Sequence, residues 1–119
     1  MRSRLACVVS DFDGGAHLHS AAEEGVPIVA HGHGDNIQRS ALALSEWSQF
    51  DTPPPLVLTH QTPTSCHGAH NFGGFTDGDR AVCFALAMGV NPQNINLVGF
   101  SLNTVGKWSA TTVPGQTLK

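Results

Sequence analysis

Apolar residues fall in short runs along the chain, and each run gives way to a polar segment that is often rich in glycine. The first run, "LACVV" at residues 5–9, ends in "SDFDGG". Continuous apolar runs of this length, bounded by Ser, Asp and Gly, predict strands buried on both faces, as in a parallel sheet. A second run, "VPIVA" at residues 26–30, ends in "HGHGDN", and a third, "LVLTHQT", begins at Leu56. "NINLVGFSL" at residues 94–102 predicts a fourth strand.

Between the runs the period changes. "AHLHSAAEE" predicts a short helix over residues 16–24, stopped by Gly25. "NIQRSALALSEWSQF" places Ile37, Ala41, Leu44, Trp47 and Phe50 three or four apart, the spacing of an amphipathic helix. Pro53, Pro54 and Pro55 cannot continue it. "DGDRAVCFALAMG" predicts a third helix, with Thr76 or Asp77 near its N-cap and Gly89 as its stop. Strands alternating with helices imply right-handed crossovers and a mainly parallel sheet, hence a Rossmann-like three-layer α/β sandwich, read as a single domain over residues 1–119. The tail, "TVGKWSATTVPGQTLK", has no periodicity, and no internal repeat occurs.

Composition narrows the function classes. The chain has 119 residues, 40% hydrophobic and 13% charged, which suits a globular domain rather than a disordered or fibrous segment. Six Lys plus Arg and a net charge of -3 leave no basic stripe, so nucleic acid is not an expected partner and a phosphate ligand would rely on backbone N–H groups and metal. No apolar run approaches the roughly 18–20 residues that cross a bilayer. The N-terminal stretch turns acidic where a signal peptide would show a cleavage site, so no membrane association and a cytoplasmic location are expected. Cys7, Cys66 and Cys83 are odd in number and widely spaced, which indicates neither a disulfide framework nor a CxxC metal site. "CHGAH" groups Cys66, His67 and His70 without the second ligand pair of a usual zinc site.

The chemistry-bearing residues all follow strands, and in open α/β sheets chemistry sits at the carboxyl ends of the strands. Asp11 and Asp13 stand at i, i+2 after the first strand, where an extended backbone would turn both carboxylates to one side. Beside Gly14, such a pair fits a hard cation such as Mg²⁺ carrying a nucleotide; the plainer alternative is an Asx-turn. "HGHGDN" supplies His31, His33, Asp35 and Asn36. Paired histidines suit phosphate oxygens or transition-state charge, while Asp35 or Asn36 is also placed to cap the next helix.

"NFGGFTDGDR" raises the sharpest question, with three glycines and two aspartates in ten residues. Gly73 and Gly74 would let backbone close on a ligand, and the helix beyond offers N–H groups and a positive dipole end to phosphate. Asp77 and Asp79 beside an anion require a bridging cation; without one they simply favour the helix dipole. Arg80 can pair with either or touch a phosphate. Neither a Walker A motif nor a GxGxxG after a strand occurs.

Taken in order, "VSDFDGG", "HGHGDN", "THQT", "NFGGFTDGDRAV" and "LVGF" resemble the archaeal type of 6-hydroxymethyl-7,8-dihydropterin pyrophosphokinase over about residues 5–102. The long glycine-aspartate string is the specific part. The resemblance implies a fold related to the thiamine pyrophosphokinase catalytic domain and an ATP- and Mg²⁺-dependent transfer of diphosphate to a reduced pterin, in tetrahydromethanopterin or folate-type biosynthesis. By the same resemblance, Asp11 and Asp13 look like metal-diphosphate ligands, His31, His33, Asp35 and Asn36 like a second active-site loop, and Asn71, Thr76, Asp77 and Asp79 like a nucleotide-facing loop. From their chemistry, Asp77 and Asp79 are further expected metal ligands, and Gly14, His31, Asn36, Asn71, Gly73, Gly74, Thr76 and Arg80 expected nucleotide contacts. Asp11, Asp13, His33 and Asp35 are the expected catalytic residues. Family members are longer, so a partial catalytic domain is expected, with apolar sheet surface left open to homo-oligomerisation. A related sugar-nucleotide transferase domain and a noncatalytic nucleotide-binding module are the alternative readings.

Overall fold

The computed structural model describes residues 4–100. Three short strands, β1 (Val8–Ser10), β2 (Ile28–His31) and β3 (Leu56–Thr59), form a parallel sheet in the order β1-β2-β3. Val8 stands opposite Ile28, and Ile28 opposite Leu56. The connections carry α1 (Gly15–Glu23) and α2 (Ile37–Trp47), and α3 (Asp77–Ala87) follows β3 after a long loop. The chain divides into two compact units, Met1–Gly89 and Val90–Lys119, and the sheet, the three helices and the site all belong to the first.

Alternation along β2 decides which helix covers which face. Ile28 and Ala30 join Phe12, Leu18, Ala22 and Trp47 in one buried cluster, which places α1 and α2 over that face. Val29 and His31, pointing the other way, line a cavity together with Phe72, Arg80 and Phe84, so the loop after β3 and α3 cover the opposite face. Helices thus flank both sides of the sheet, and α3 crosses from β3 back to pack on β1.

α1 buries Leu18, Ala21 and Ala22, the spacing expected of it. α2 buries a different stripe from the one its sequence suggests. Trp47 is fully buried and Ala43, Leu44 and Phe50 pack against the core, but Ile37 is 66% exposed and Ala41 is exposed. At about 100° per residue, Ala41 lies about 120° around the helix from Trp47, so anchoring by the indole carries Ala41 off the core. Trp47 is held further by its Nε1–H, which donates to His19 Nδ1 at 3.1 Å.

The second unit, described through residue 100, contains a 3-10 turn at Pro92–Asn94, capped where the Gln93 amide donates to Asn91 Oδ1 at 2.9 Å. The expected fourth strand is not formed over its described part. Ile95 has extended dihedrals, but no ladder partner is paired with it among the described residues, and a strand exists only as one side of a ladder. Residues 101–102 of that segment, and the tail beyond, lie outside the described residues. No helix among the described residues is long and apolar enough to cross a membrane.

Candidate active site

The carboxyl ends of β1 and β2 and the first turn of α3 meet at one place. β1 stops at Ser10, and the next residue but one, Phe12, has φ 71°. A bulky residue in the left-handed region is rare and costs about 1–3 kcal/mol. Two contacts hold it there: its ring is 6% exposed and stacks on Trp47 at 5.8 Å, and its amide donates to Ser10 Oγ at 3.2 Å. Ring burial of about 1.5–3 kcal/mol is enough to offset the backbone strain. The expectation of an extended Asp-Phe-Asp segment is therefore corrected: the chain reverses at Phe12, with an aspartate on either side of the buried ring.

Asp77, in the first turn of α3, completes a group of three. One carboxylate oxygen from each of Asp11, Asp13 and Asp77 lies within 4.8 Å of the others. The loop and the helix are tied together where the Asp11 amide donates to Asp77 Oδ2 at 3.3 Å. Arg80 Nη1 donates to Asp77 Oδ1 at 2.7 Å and Nη2 to the Phe75 carbonyl at 2.6 Å. His33 Nε2 stands 3.3 Å from Asp11 Oδ2.

Ionisation is strained in this group. Burial, then the charge of Asp11, raises the pKa of both Asp13 and Asp77. Asp11 is also disfavoured by burial, but hydrogen bonds to His33 and Asp13 bring it below the ordinary value. Asp11 Oδ1 is buried with no hydrogen-bond partner among the described residues. An orphaned carboxylate oxygen with two carboxylates beside it whose charging is resisted fits a hard divalent cation, which would remove the penalty on all three. The residues present therefore fit Mg²⁺.

Asp79 does not join this group, which corrects its assignment as a metal ligand. Its oxygens accept from the Phe75 amide at 2.7 Å, the Thr76 amide at 2.6 Å and the Thr76 hydroxyl, closing a capping box with Thr76 as N-cap. Asp79 thus satisfies the two amides that lead into α3, and Thr76 caps rather than faces a ligand. Although slight burial opposes ionisation, those hydrogen bonds hold the Asp79 pKa below the ordinary value. A depressed pKa contributes stability that is present above the unfolded value and lost as pH falls through the folded one. Asp79→Ala should cost about 1 kcal/mol at neutral pH. In thermal melts the deficit should shrink below the usual carboxylate range, and Mg²⁺ affinity should not change.

The glycines have local causes. A Cβ on Gly74, at φ +87°, would lie 2.6 Å from the Arg80 amide nitrogen, so its missing side chain makes room for α3 rather than for a ligand. Gly73, at φ +89°, has open space apart from Cys83 Sγ at 3.7 Å. Asn71 bridges the loop: Nδ2 donates to the Thr62 carbonyl at 3.2 Å and Oδ1 accepts from the Gly73 amide at 3.1 Å. Gly14 is the N-cap of α1, where a Cβ would meet that of Leu18 at 2.9 Å.

In the second loop, the expected ligand-facing groups separate. Asn36 is 2% exposed and fully used: Nδ2 donates to the carbonyls of Asp11 and His31 at 2.8 Å each, and Oδ1 accepts from the His33 amide at 2.9 Å. It is the staple that joins the ends of β1 and β2, not a cofactor contact. His31 closes β2 and is 1% exposed, with Nδ1 3.0 Å from Thr59 Oγ1; it too is interior rather than on the loop surface. Asp35 is exposed in the 3-10 turn Gly34–Asn36, and Asp35 is not one of the three clustered aspartates. Sequence reasoning did not single out Phe12 and Thr59, which the structure ties to the site; the hydroxyl of "THQT" was the available signal for Thr59.

The site is thus an acidic, cation-compatible cluster at the carboxyl edge of a parallel sheet. The chain is 41% identical over 103 residues to the 6-hydroxymethyl-7,8-dihydropterin pyrophosphokinase of Pyrococcus furiosus, covering 86% of this chain and 40% of that protein. It is 35% identical over 99 residues to the protein of that name in Methanothermobacter thermautotrophicus, covering 82% and 39%. The corresponding protein of Methanocaldococcus jannaschii is 37% identical over 82 residues, covering 65% of this chain and 31% of its own length. The resemblance read from the motifs is therefore a similarity along most of this chain, which spans about two fifths of the length of the first two curated relatives. No family model matches the chain. No solved structure matches it either.

Proposed function

We propose that the chain carries the metal-diphosphate part of a 6-hydroxymethyl-7,8-dihydropterin diphosphokinase, with ATP and a reduced pterin as small-molecule substrates. The carrying observation is the convergence of Asp11, Asp13 and Asp77 within 4.8 Å in a chain similar to three proteins of that name. In this reading the fold is a Rossmann-like sandwich of the thiamine pyrophosphokinase kind. The pterin would serve tetrahydromethanopterin or folate-type biosynthesis.

Asp11, Asp13 and Asp77 would hold Mg²⁺, which would supply charge neutralisation at the phosphate oxygens. In this reading phosphate would meet the start of α1, whose N-cap Gly14 follows Asp13 directly. The pterin hydroxymethyl oxygen attacks the β-phosphorus; the new O–P bond forms as the α-β bridging bond breaks and AMP leaves. With Asp11 ionised, the hydrogen between it and His33 sits on Nε2, so in this geometry His33 orients Asp11 through Nε2 and has only its other ring nitrogen to take up a substrate proton.

The test is conversion of ATP to AMP by the purified chain with Mg²⁺, with and without the pterin. Pterin-dependent AMP is the expected result. A folded chain that binds Mg-ATP yet forms no AMP would favour the noncatalytic module, a reading kept open by the share of the relatives that this chain spans. Metal binding has its own readout. Mg²⁺ at ten times its Kd should stabilise the chain by about 1.4 kcal/mol. The accompanying rise in Tm should vanish in Asp11→Asn, and a Tm indifferent to Mg²⁺ would remove the cation from the site.

A further inference from the structure

On the side of the sheet away from Phe12 and Trp47, a cavity of about 10 Å³ lies between β2, β3 and α3, walled in part by Val29, His31, Thr59, Phe72, Arg80 and Phe84. That is room for about one water. Two of its polar walls are incomplete. His31 Nε2 and Arg80 Nε are each buried without a hydrogen-bond partner among the described residues, on residues 1% and 9% exposed. Native interiors rarely leave such groups unmatched, because each is desolvated without compensation.

The neighbouring contacts fix the direction of the hydrogens. Thr59 Oγ1 lies 3.3 Å from the Ala30 carbonyl and 3.0 Å from His31 Nδ1. A hydroxyl has one hydrogen, and the carbonyl can only accept. With that hydrogen on the carbonyl, His31 Nδ1 must carry its own and donate to Thr59, which leaves Nε2 with a lone pair; Arg80 Nε always carries a hydrogen. One acceptor and one donor therefore belong to residues that line the same water-sized space. An anion would meet the Nε2 lone pair, and the guanidinium charge is already matched by Asp77 at 2.7 Å.

We infer that a single ordered water fills this cavity, accepting from Arg80 Nε–H and donating to His31 Nε2, with His31 held in its Nδ1–H form by Thr59. A continuous chain of hydrogen bonds then runs from Ala30 through Thr59, His31, the water and Arg80 to Asp77. His31 is a positioning residue: it fixes the third side of the guanidinium and, through it, one carboxylate of the acidic group. Burial, and after it the charge of Arg80, lowers the pKa of His31, in keeping with a neutral ring. Gln61 is the competing partner, since hydrogen bonding by its side chain pushes the His31 pKa up against the effect of burial. An amide oxygen turned onto Nε2 would demand a hydrogen there and displace the water.

The test is a long-range ¹H–¹⁵N correlation spectrum of the 119-residue chain at neutral pH, with a measurement of cross-relaxation between water and the Arg80 Nε–H. The expected result is a protonated Nδ1, an unprotonated Nε2 and transfer from a slowly exchanging water to Arg80, all unchanged in Gln61→Ala. A hydrogen on Nε2, a doubly protonated ring, or an Arg80 Nε–H with no transfer from water overturns the inference.

Discussion

Asp13→Asn should abolish pterin-dependent AMP formation while leaving the fold at least as stable as before. Partial burial of the Asp13 carboxyl and then the neighbouring Asp11 charge push its pKa up. A raised carboxyl pKa means that the ionised form costs stability above that pKa and that the cost is relieved as pH falls through it. Asparagine removes the charge at nearly constant shape, so the metal-free variant should melt no lower than the parent at neutral pH. Activity responds the other way. On the proposed function one of three cation ligands would be neutralised, the transferring phosphates would lose charge compensation, and a loss of about 10²–10³ in turnover is expected from a single electrostatic contact of this kind. AMP formation within a few-fold of the parent would remove Asp13 from the site, whereas a lowered Tm would mean that its role is structural.

The largest stability effect should come from Gly74→Ala. The new Cβ would lie 2.6 Å from the Arg80 nitrogen, 2.7 Å from its Cα and 2.9 Å from its Cγ, and the backbone at φ +87° is itself unfavourable for alanine. The backbone contacts cannot be relieved by a rotamer change, so α3 must shift. The expected loss is about 2–4 kcal/mol, the sum of a left-handed penalty and a steric one. Gly73→Ala isolates the first part, because Gly73 has a similar φ, +89°, and only Cys83 Sγ at 3.7 Å nearby. It should cost only about 1 kcal/mol. Because α3 carries Asp77, Gly74→Ala should also weaken Mn²⁺ binding, followed by paramagnetic relaxation, and Gly73→Ala should not. Equal melting temperatures for the two variants would show that the close approach of the loop to α3 does not constrain the fold.

These contrasts show what the sequence could and could not convey. Three strands and three helices were legible within two or three residues because apolar runs, prolines and glycine stops act locally, while the fourth apolar run found no ladder partner among the described residues; the Leu5–Val9 run became Val8–Ser10 and the expected first helix moved by one residue. The carboxyl-edge placement of Asp11, Asp13 and Asp77 followed from the same alternation. What failed depended on partners distant in sequence. Asp79 and Asp77 are equivalent in a motif, yet one closes a cap and the other meets Asp11, sixty-six residues away. Asn36 looked like a loop donor until the Asp11 and His31 carbonyls used up its amide. Apolar periodicity fixed that α2 is a helix but not its rotation, which depends on where Trp47 finds Phe12.

Phe12 carries a consequence for sequence change at this position. Glycine would relax its backbone but remove a ring from the core, and any other large apolar residue inherits the left-handed strain. Its replacement therefore alters core packing and the spacing of the two flanking carboxylates at once. Selection or design at position 12 thus acts on the core and on the acidic cluster together, so adaptive changes in this protein should accumulate around Phe12 rather than at it.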